Sequence, residues 1–551
     1  MGSLSHAVRF GVYLVASAVA FARVGAQDLH GSVIDSVNRR PIAGAVVTLV
    51  DSSGTMIRRQ LTDQRGEYRV AMDETVRRMR VVRIGFRPRD ISTPRATSGS
   101  VQLDVVMVSL PTLLEPVRVT AGASCSRRAD RADANALLGQ ARAGLATTVV
   151  ARETTPARMI RLQFIRHMRG NGDQVENQEV RIDASEQVKT SFVAVRTATD
   201  FVRLGFRRDN AGTQEFFGPD ADVLLDDGFT DGYCFHISDP VRERPNQIGL
   251  AFVPANRRKD RIDIEGALWI DTVARELRDI EFRYVGVDSR YVTAHAGGRI
   301  SFRALDNGIV MIDRWFFRLI GANTDTVYGR NSLTTRASYY VRESGGEVAH
   351  AAWTDGTTWQ APLGTLHALA LDRAGKPMPG VKLRLDSTDY EGTTDAHGVL
   401  EIPNLLPGPY TGIVADSLLE QLGIVLAAPV AFTAERGKTV NATFTVPTAT
   451  DYVRGACAAV LPAGADPVDP NSVWLIGRVV DSKGAPVKGV RVALNDETIT
   501  GSNGLFYFCR RLSLNTTVRI RTRRGNAPEQ GTEVDLDRPL VVRTIIVPPQ
   551  R

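Results

Sequence analysis

The chain has 551 residues, of which 43% are hydrophobic and 23% charged, and its formal net charge is +7. That composition excludes a wholly disordered chain and a collagen-like repeat, and the length suggests about three to five domains. Arginine outnumbers lysine 61 to 7, but the arginines are scattered along strand-like segments without interleaved aromatics, so no nucleic-acid partner is expected.

From the amino terminus, Arg9 precedes the apolar run GVYLVASAVAFA (11–22), and Val24-Gly25-Ala26 is a small-residue cleavage site. Residues 1–26 therefore read as a secretory signal peptide. No later run of 18 uninterrupted apolar residues follows, so the membrane association expected is peripheral at most. The expected location is exported: periplasm, outer-membrane surface or secreted.

One pattern then occurs three times. LHGSVIDSVNRRPIAGAVVTLV (29–50), LHALALDRAGKPMPGVKLRL (366–385) and LIGRVVDSKGAPVKGVRVAL (475–494) each run from an alternating strand to Asp35, Asp372 or Asp481. Pro41, Pro377 or Pro486 follows, and then a second alternating strand. A third element recurs as TDQRGEY (62–68), TDAHGVL (394–400) and TGSNGLF (500–506). The Asp and Pro residues suit turns, and the glycine of the third element suits a positive φ. Seven or so such strands predict a small antiparallel sandwich of about 80 residues. The Asp residues are read as turn caps, since no D-x-[DN]-x-[DN]-G calcium loop occurs.

Between the first and second copies, residues 127–146 predict a helix with Leu137, Leu138, Ala141 and Leu145 on one face. From Pro156 the alternation has period two. Strands are expected at 158–168, 186–195, 246–254, 261–271, 277–285, 297–305 and 308–320, with Asp306-Asn307-Gly308 as a hairpin turn. The expected fold class is mainly β: three small Greek-key, transthyretin-like sandwiches plus one α+β domain in which a curved antiparallel sheet wraps a helix. The expected boundaries are 27–112 for the first sandwich, 113–345 for the middle domain, 363–447 for the second sandwich and 473–551 for the third. Residues 346–362 and 448–472 are read as linkers.

The four cysteines, Cys125, Cys234, Cys457 and Cys509, form no C-x-x-C and allow three pairings. The pairing expected is Cys125–Cys234 and Cys457–Cys509, because each falls within one unit or at its entry. No HExxH, G-x-S-x-G or phosphate-binding glycine loop occurs, so no catalytic residue, metal or cofactor is expected. Asp220, Asp222, Asp226 and Asp227 are read as solvated loop acids rather than a hydrolytic pair. Trp353 and Trp359, in the expected linker, are the candidate ligand-binding residues, suited to stacking on a sugar or a partner; the alternative is that they pin the linker to a neighbouring domain. Trp269 and Trp315 are expected in the core, and Trp474 against the Cys457–Cys509 region.

The repeated pattern, clearest in GSVIDSVNRRPIAGAVVTLV, TDQRGEYRV, VVRIGFRPRDI and VQLDVVM, resembles the carboxypeptidase regulatory-like domain, a transthyretin-like sandwich. That module often begins TonB-dependent outer-membrane receptors, and LLEPVRVTAG (113–122) looks like the segment leading into their plug. The strand series GLAFVPANRRKDRIDIEGALWIDTVARELRDIEFRY resembles the half-barrel of periplasmic lipoprotein carriers. The function these resemblances imply is non-enzymatic binding or scaffolding at the envelope, with carbohydrate or an envelope protein as the partner. The alternatives are a lipid or lipoprotein carrier through the middle domain, which needs a concavity where a filled core would otherwise stand, and an accessory to a TonB-dependent uptake system.

Overall fold

The structure, a computed structural model, describes residues 27–94, 99–110, 128–169, 172–188, 191–210, 213–256, 261–328, 333–424, 429–457 and 472–548. The expected signal peptide, Cys125 and the segment 113–122 lie outside the described residues.

Each copy of the repeated pattern folds as two facing sheets. The first contains β1 (Gln27–Asp35), β2 (Val46–Val50), β3 (Met56–Leu61), β4 (Glu67–Met72), β5 (Arg78–Val82), β6 (Arg89–Ser92), β7 (Val101–Gln102) and β8 (Val105–Met107). One sheet pairs β1 with β4, β7 and β8, and the other has the order β3-β2-β5-β6. Between them lie Leu29, Val33, Val47, Leu49, Met79 and Met107, all fully buried. The strands are not all antiparallel as expected: β1 runs parallel to β7 and β8.

The middle domain begins with α1 (Arg128–Thr154), which ends eight residues beyond the expected helix. The extra turns hold β-branched Thr147, Thr148, Val149 and Val150, which argue against helix in sequence. Here the two hydroxyls donate back to the carbonyls of Ala143 and Gly144, and both valines are buried. The sheet is formed by β9 (Ala157–Arg169), β10 (Gln174–Val188), β13 (Tyr233–Ile237), β14 (Gln247–Pro254), β15 (Asp263–Asp271), β16 (Glu276–Val285), β17 (Gly297–Ala304), β18 (Val310–Tyr328), β19 (Leu333–Trp353) and β20 (Thr358–Gln360). A separate ribbon of β11 (Arg207–Asn210) and β12 (Thr213–Phe216) lies among the short helices α2 (Ala198–Leu204), α3 (Ala221–Leu225) and α4 (Asp227–Asp231); α5 (Ser289–Thr293) precedes β17. The sheet order is β10-β9-β19-β18-β17-β16-β15-β14-β13. The expected turn at Asp306-Asn307-Gly308 joins β17 to β18.

Two expectations need correction here. The strand expected over 186–195 stops at Val188, and residues 191–195 run as irregular chain with the Ala194 N–H donated to Asp220 Oδ2. The expected linker 346–362 is sheet: β19 runs through Gly345-Gly346 to Trp353, turns, and pairs with β20. The paired glycines in this strand are there for close approach. A Cβ on Gly346 would stand 2.4 Å from Trp315, and one on Gly345 would stand 2.2 Å from the Trp315 carbonyl oxygen.

The second sandwich contains β21 (Gly364–Leu371), β22 (Lys382–Leu385), β23 (Glu391–Thr393), β24 (Val399–Leu405), β25 (Gly408–Ala415), β26 (Val430–Ala434) and β27 (Thr439–Thr445), with α6 (Ser417–Gln421). α7 (Ala449–Cys457) stands where the second linker was expected, closed at its start by reciprocal bonds between Thr448 and Asp451. The third sandwich contains β28 (Ser472–Val480), β29 (Val490–Ala493), β30 (Glu497–Ile499), β31 (Leu505–Ser513), β32 (Thr516–Arg524), β33 (Gln530–Leu536) and β34 (Leu540–Ile546). Again the first strand runs parallel to the last, β21 with β27 and β28 with β34. The expected turn caps are present: Asp372 Oδ1 accepts from Ala374 and Lys376, and Asp481 Oδ1 from Lys483 and Ala485.

The three copies share a further device that the sequence reading passed over, although the Thr opening TDQRG, TDAHG and TGSNG is its signal. Thr62, Thr394 and Thr500 are buried. Each hydroxyl donates to one carbonyl, of Ile42, Met378 or Val487, and accepts one N–H, from Ala45, Val381 or Val490. This ties the third element to the segment after the proline. Thr500→Val leaves a buried N–H and a buried C=O unpaired, and the expected cost to the third sandwich is about 1–3 kcal/mol. Thr500→Ser should keep most of that stability. Calorimetric melting of the full chain checks both; equal melting of Val and Ser variants would contradict the bridge.

Candidate functional site

The first sandwich is seated on the middle domain at several points. Ile84 enters the core around α1, the Gly85 N–H donates to Gln140 Oε1 at 2.7 Å, and Arg59 forks onto Glu153 at 2.8 and 2.6 Å. Further along, two bare backbones meet. A Cβ on Gly44 would stand 2.5 Å from the Gly308 carbonyl oxygen, and one on Gly308 would stand 2.2 Å from the Gly44 nitrogen. Both glycines have positive φ, +68° and +83°.

Beside this junction an open groove of about 560 Å³ is bounded by Gln64 of the first sandwich, by Arg303 of β17 and Asp306 of the β17–β18 turn, and by Asp355, Thr358 and Trp359 of the β19–β20 hairpin. The groove is polar with one aromatic wall. The hairpin loop is held by Asn307, whose amide donates to Asp355 Oδ2 and Thr357 Oγ1, both at 3.0 Å. Burial pushes the Asp355 carboxyl up, but the Thr357 N–H and the Asn307 amide outweigh it and hold it below the usual carboxylate range. Asp355 is therefore an anionic acceptor at neutral pH. Gln64, Asp306 and Thr358 are exposed, and Trp359 is half-buried. Carboxylate, amide and hydroxyl groups beside an indole can take up vicinal hydroxyls and an apolar ring face together.

The structure separates the two tryptophans singled out in sequence. Trp359 lines this groove while its inner edge packs on the cores to either side. Trp353 is 8% exposed, in a cluster with Met159, Ile309, Met311 and Val348, so the expectation that it offers a ligand surface is corrected. It sits on β19 opposite Ala157 of β9, not in a linker. Gln64, Asp306 and Asp355 were missed, because they come from three turns far apart in the chain; the turn signals around them were legible. Trp269 and Trp315 are buried in strands, and Trp474 is buried in a cluster that Cys509 packs against.

The acids weighed as a hydrolytic pair are all engaged. Asp220 and Asp226 cap α3 and α4, Asp222 pairs with Arg152 at 2.6 Å, and Asp227 pairs with Arg142 at 2.7 Å. Among the described residues, no group of three or more His, Cys, Asp or Glu is placed to hold a metal. The lipid concavity imagined for the middle domain is occupied: Leu137, Ala141 and Leu145 of α1 pack with Phe201, Phe206, Phe229 and Phe252 against the sheet. Cys234 and Cys509 carry no free thiol; Cys125 and the Cys457 side chain lie outside the described residues.

Residues 28–108 match the carboxypeptidase regulatory-like domain family, and the first sandwich is such a domain. No curated protein matches the chain. Among solved structures, the Bacillus anthracis TIE protein is similar at 11% identity, over 62% of this chain and 63% of that one, with a TM-score of 0.16. The chain thus spans less than two thirds of that protein. A Streptococcal ancillary pilin is similar at 11% identity over 48% of this chain and 85% of that one (TM-score 0.16). The major pilin subunit BcpA of Bacillus cereus is similar at 10% identity over 76% and 98% (TM-score 0.14). At these TM-scores the likeness supports no conclusion about function.

Proposed function

We propose that the chain is an exported, non-enzymatic binding and scaffolding protein of the cell envelope, and that it takes carbohydrate in the Trp359 groove. The observation that carries this reading is the groove itself: an indole wall facing Asp306, Asp355, Gln64 and Thr358 in an open channel between two units. Sugars present an apolar ring face and paired hydroxyls, and those are the two surfaces offered here. Export is supported by the leader-like residues 1–26, and no described helix is long and apolar enough to cross a membrane.

Binding of the chain from Gln27 to an array of envelope and plant-type glycans tests the proposal. Trp359→Ala should weaken the retained glycan about tenfold or more, roughly 1.4 kcal/mol or above, while Trp359→Phe should keep part of it. An array with no bound glycan, or binding untouched by Trp359→Ala, would sink the reading.

Export favours disulfides, and the pairing that keeps each bond within one unit or at its entry is Cys125–Cys234 and Cys457–Cys509. Peptide mass mapping without reduction should recover both linked pairs; a Cys234–Cys509 peptide would overturn it.

A further inference from the structure

The Trp359 groove carries a sign. Three charged residues line it, Arg303, Asp306 and Asp355, so carboxylates exceed cations by one. The arginine is already engaged: its Nε–H donates at 3.3 Å to Oδ2 of Asp313, a buried acid outside the groove lining. The cations just beyond the groove are answered as well. Arg65 shares its turn with Asp63, which accepts the Arg65 N–H. Arg83 donates to the Ala43 carbonyl at 3.1 Å and faces Glu276. Arg158, across β19 from the hairpin, has a partner of its own.

The two lining carboxylates have no such answer. Asp306 is exposed, and among the described residues it accepts no hydrogen bond and joins no ion pair. Asp355 accepts from neutral donors, the Thr357 N–H at 2.8 Å on Oδ1 and the Asn307 amide at 3.0 Å on Oδ2. Bonds of that kind favour the ionised form and leave its charge in place. Both acids are fixed to one buried residue: Asn307 follows Asp306 in the chain and grips Asp355 through its side chain. The remaining wall is the Trp359 indole, whose face attracts a cation as well as packing on a ring. An acidic sugar entering this groove meets two carboxylates; an ammonium is drawn by both and by the indole.

We propose that the glycans this groove selects are those with free amino groups, the ammonium pairing with Asp306 and Asp355 while the sugar ring lies on Trp359; this rests on the reading of the groove as a glycan site.

Calorimetric titration of the full chain with a glucosamine tetramer, its N-acetylated form and a galacturonate tetramer tests it. The glucosamine tetramer should bind about tenfold or more tighter than the acetylated one, the galacturonate should bind weakest, and added salt should close the gap. Asp306→Asn, which removes the charge and suits the same turn, should weaken the glucosamine tetramer about threefold or more and narrow its lead over the acetylated form. Asp355→Asn serves as the second variant if Asp306→Asn does not fold. An acetylated or acidic glycan that binds at Trp359 as tightly as the amine overturns this inference and leaves the glycan reading standing. If no glycan binds at all, both fall. Tetralysine binding tighter than the glucosamine tetramer overturns the choice of a sugar.

Discussion

The contact on which the candidate site depends is backbone against backbone, Gly44 on Gly308. Any side chain at either position would hold the first sandwich off the β17–β18 turn. Only with the two in contact does Gln64 face Asp306, Asp355 and Trp359 across one groove. The remaining seats, Ile84 in the α1 core and the Arg59–Glu153 fork, fix the sandwich in the same position from a second side. The groove is therefore a property of two units docked together.

The same economy governs the middle sheet. One face is filled by α1 and the short helices. Part of the other is covered by the second sandwich, where Leu162, Phe164 and Val180 join its core and Arg436 forks onto the buried Glu347 at 2.7 and 2.6 Å. A bidentate pair of this kind fixes orientation as well as adding attraction. What stays open is the stretch across β13–β18, where Glu265, Glu281, Arg283, Arg299 and Arg318 stand beside Ala251, Trp269 and Phe316.

Much of the fold was legible in the chain. The thrice-repeated Asp-to-Pro turn and Gly66, Gly398 and Gly504 mark the sandwiches because turn chemistry is local. The parallel pairing of first and last strands was not legible, since alternation sets a strand's face and not its neighbour. The stretch 346–362 reads as a linker because it is polar, yet its start is strand, where Gly345 and Gly346 yield room to Trp315. Trp359 stood out as an aromatic in a polar stretch, but so did Trp353, and only the register of β19 on β9 separates the lining residue from the core one. Gln64 joined the site from almost 300 residues away, which no local pattern encodes.

The most direct test of a site shared between two units is Gly308→Ala in the full chain, assayed for glycan binding. The substitution puts a Cβ into Gly44 at a positive φ, a backbone strain of about 1 kcal/mol before the clash, yet touches no groove-lining side chain. If the groove needs both units, Gly308→Ala loses glycan affinity while the melting of the second and third sandwiches stays unchanged. Full affinity in a Gly308→Ala chain whose first sandwich has come away from the turn would contradict it.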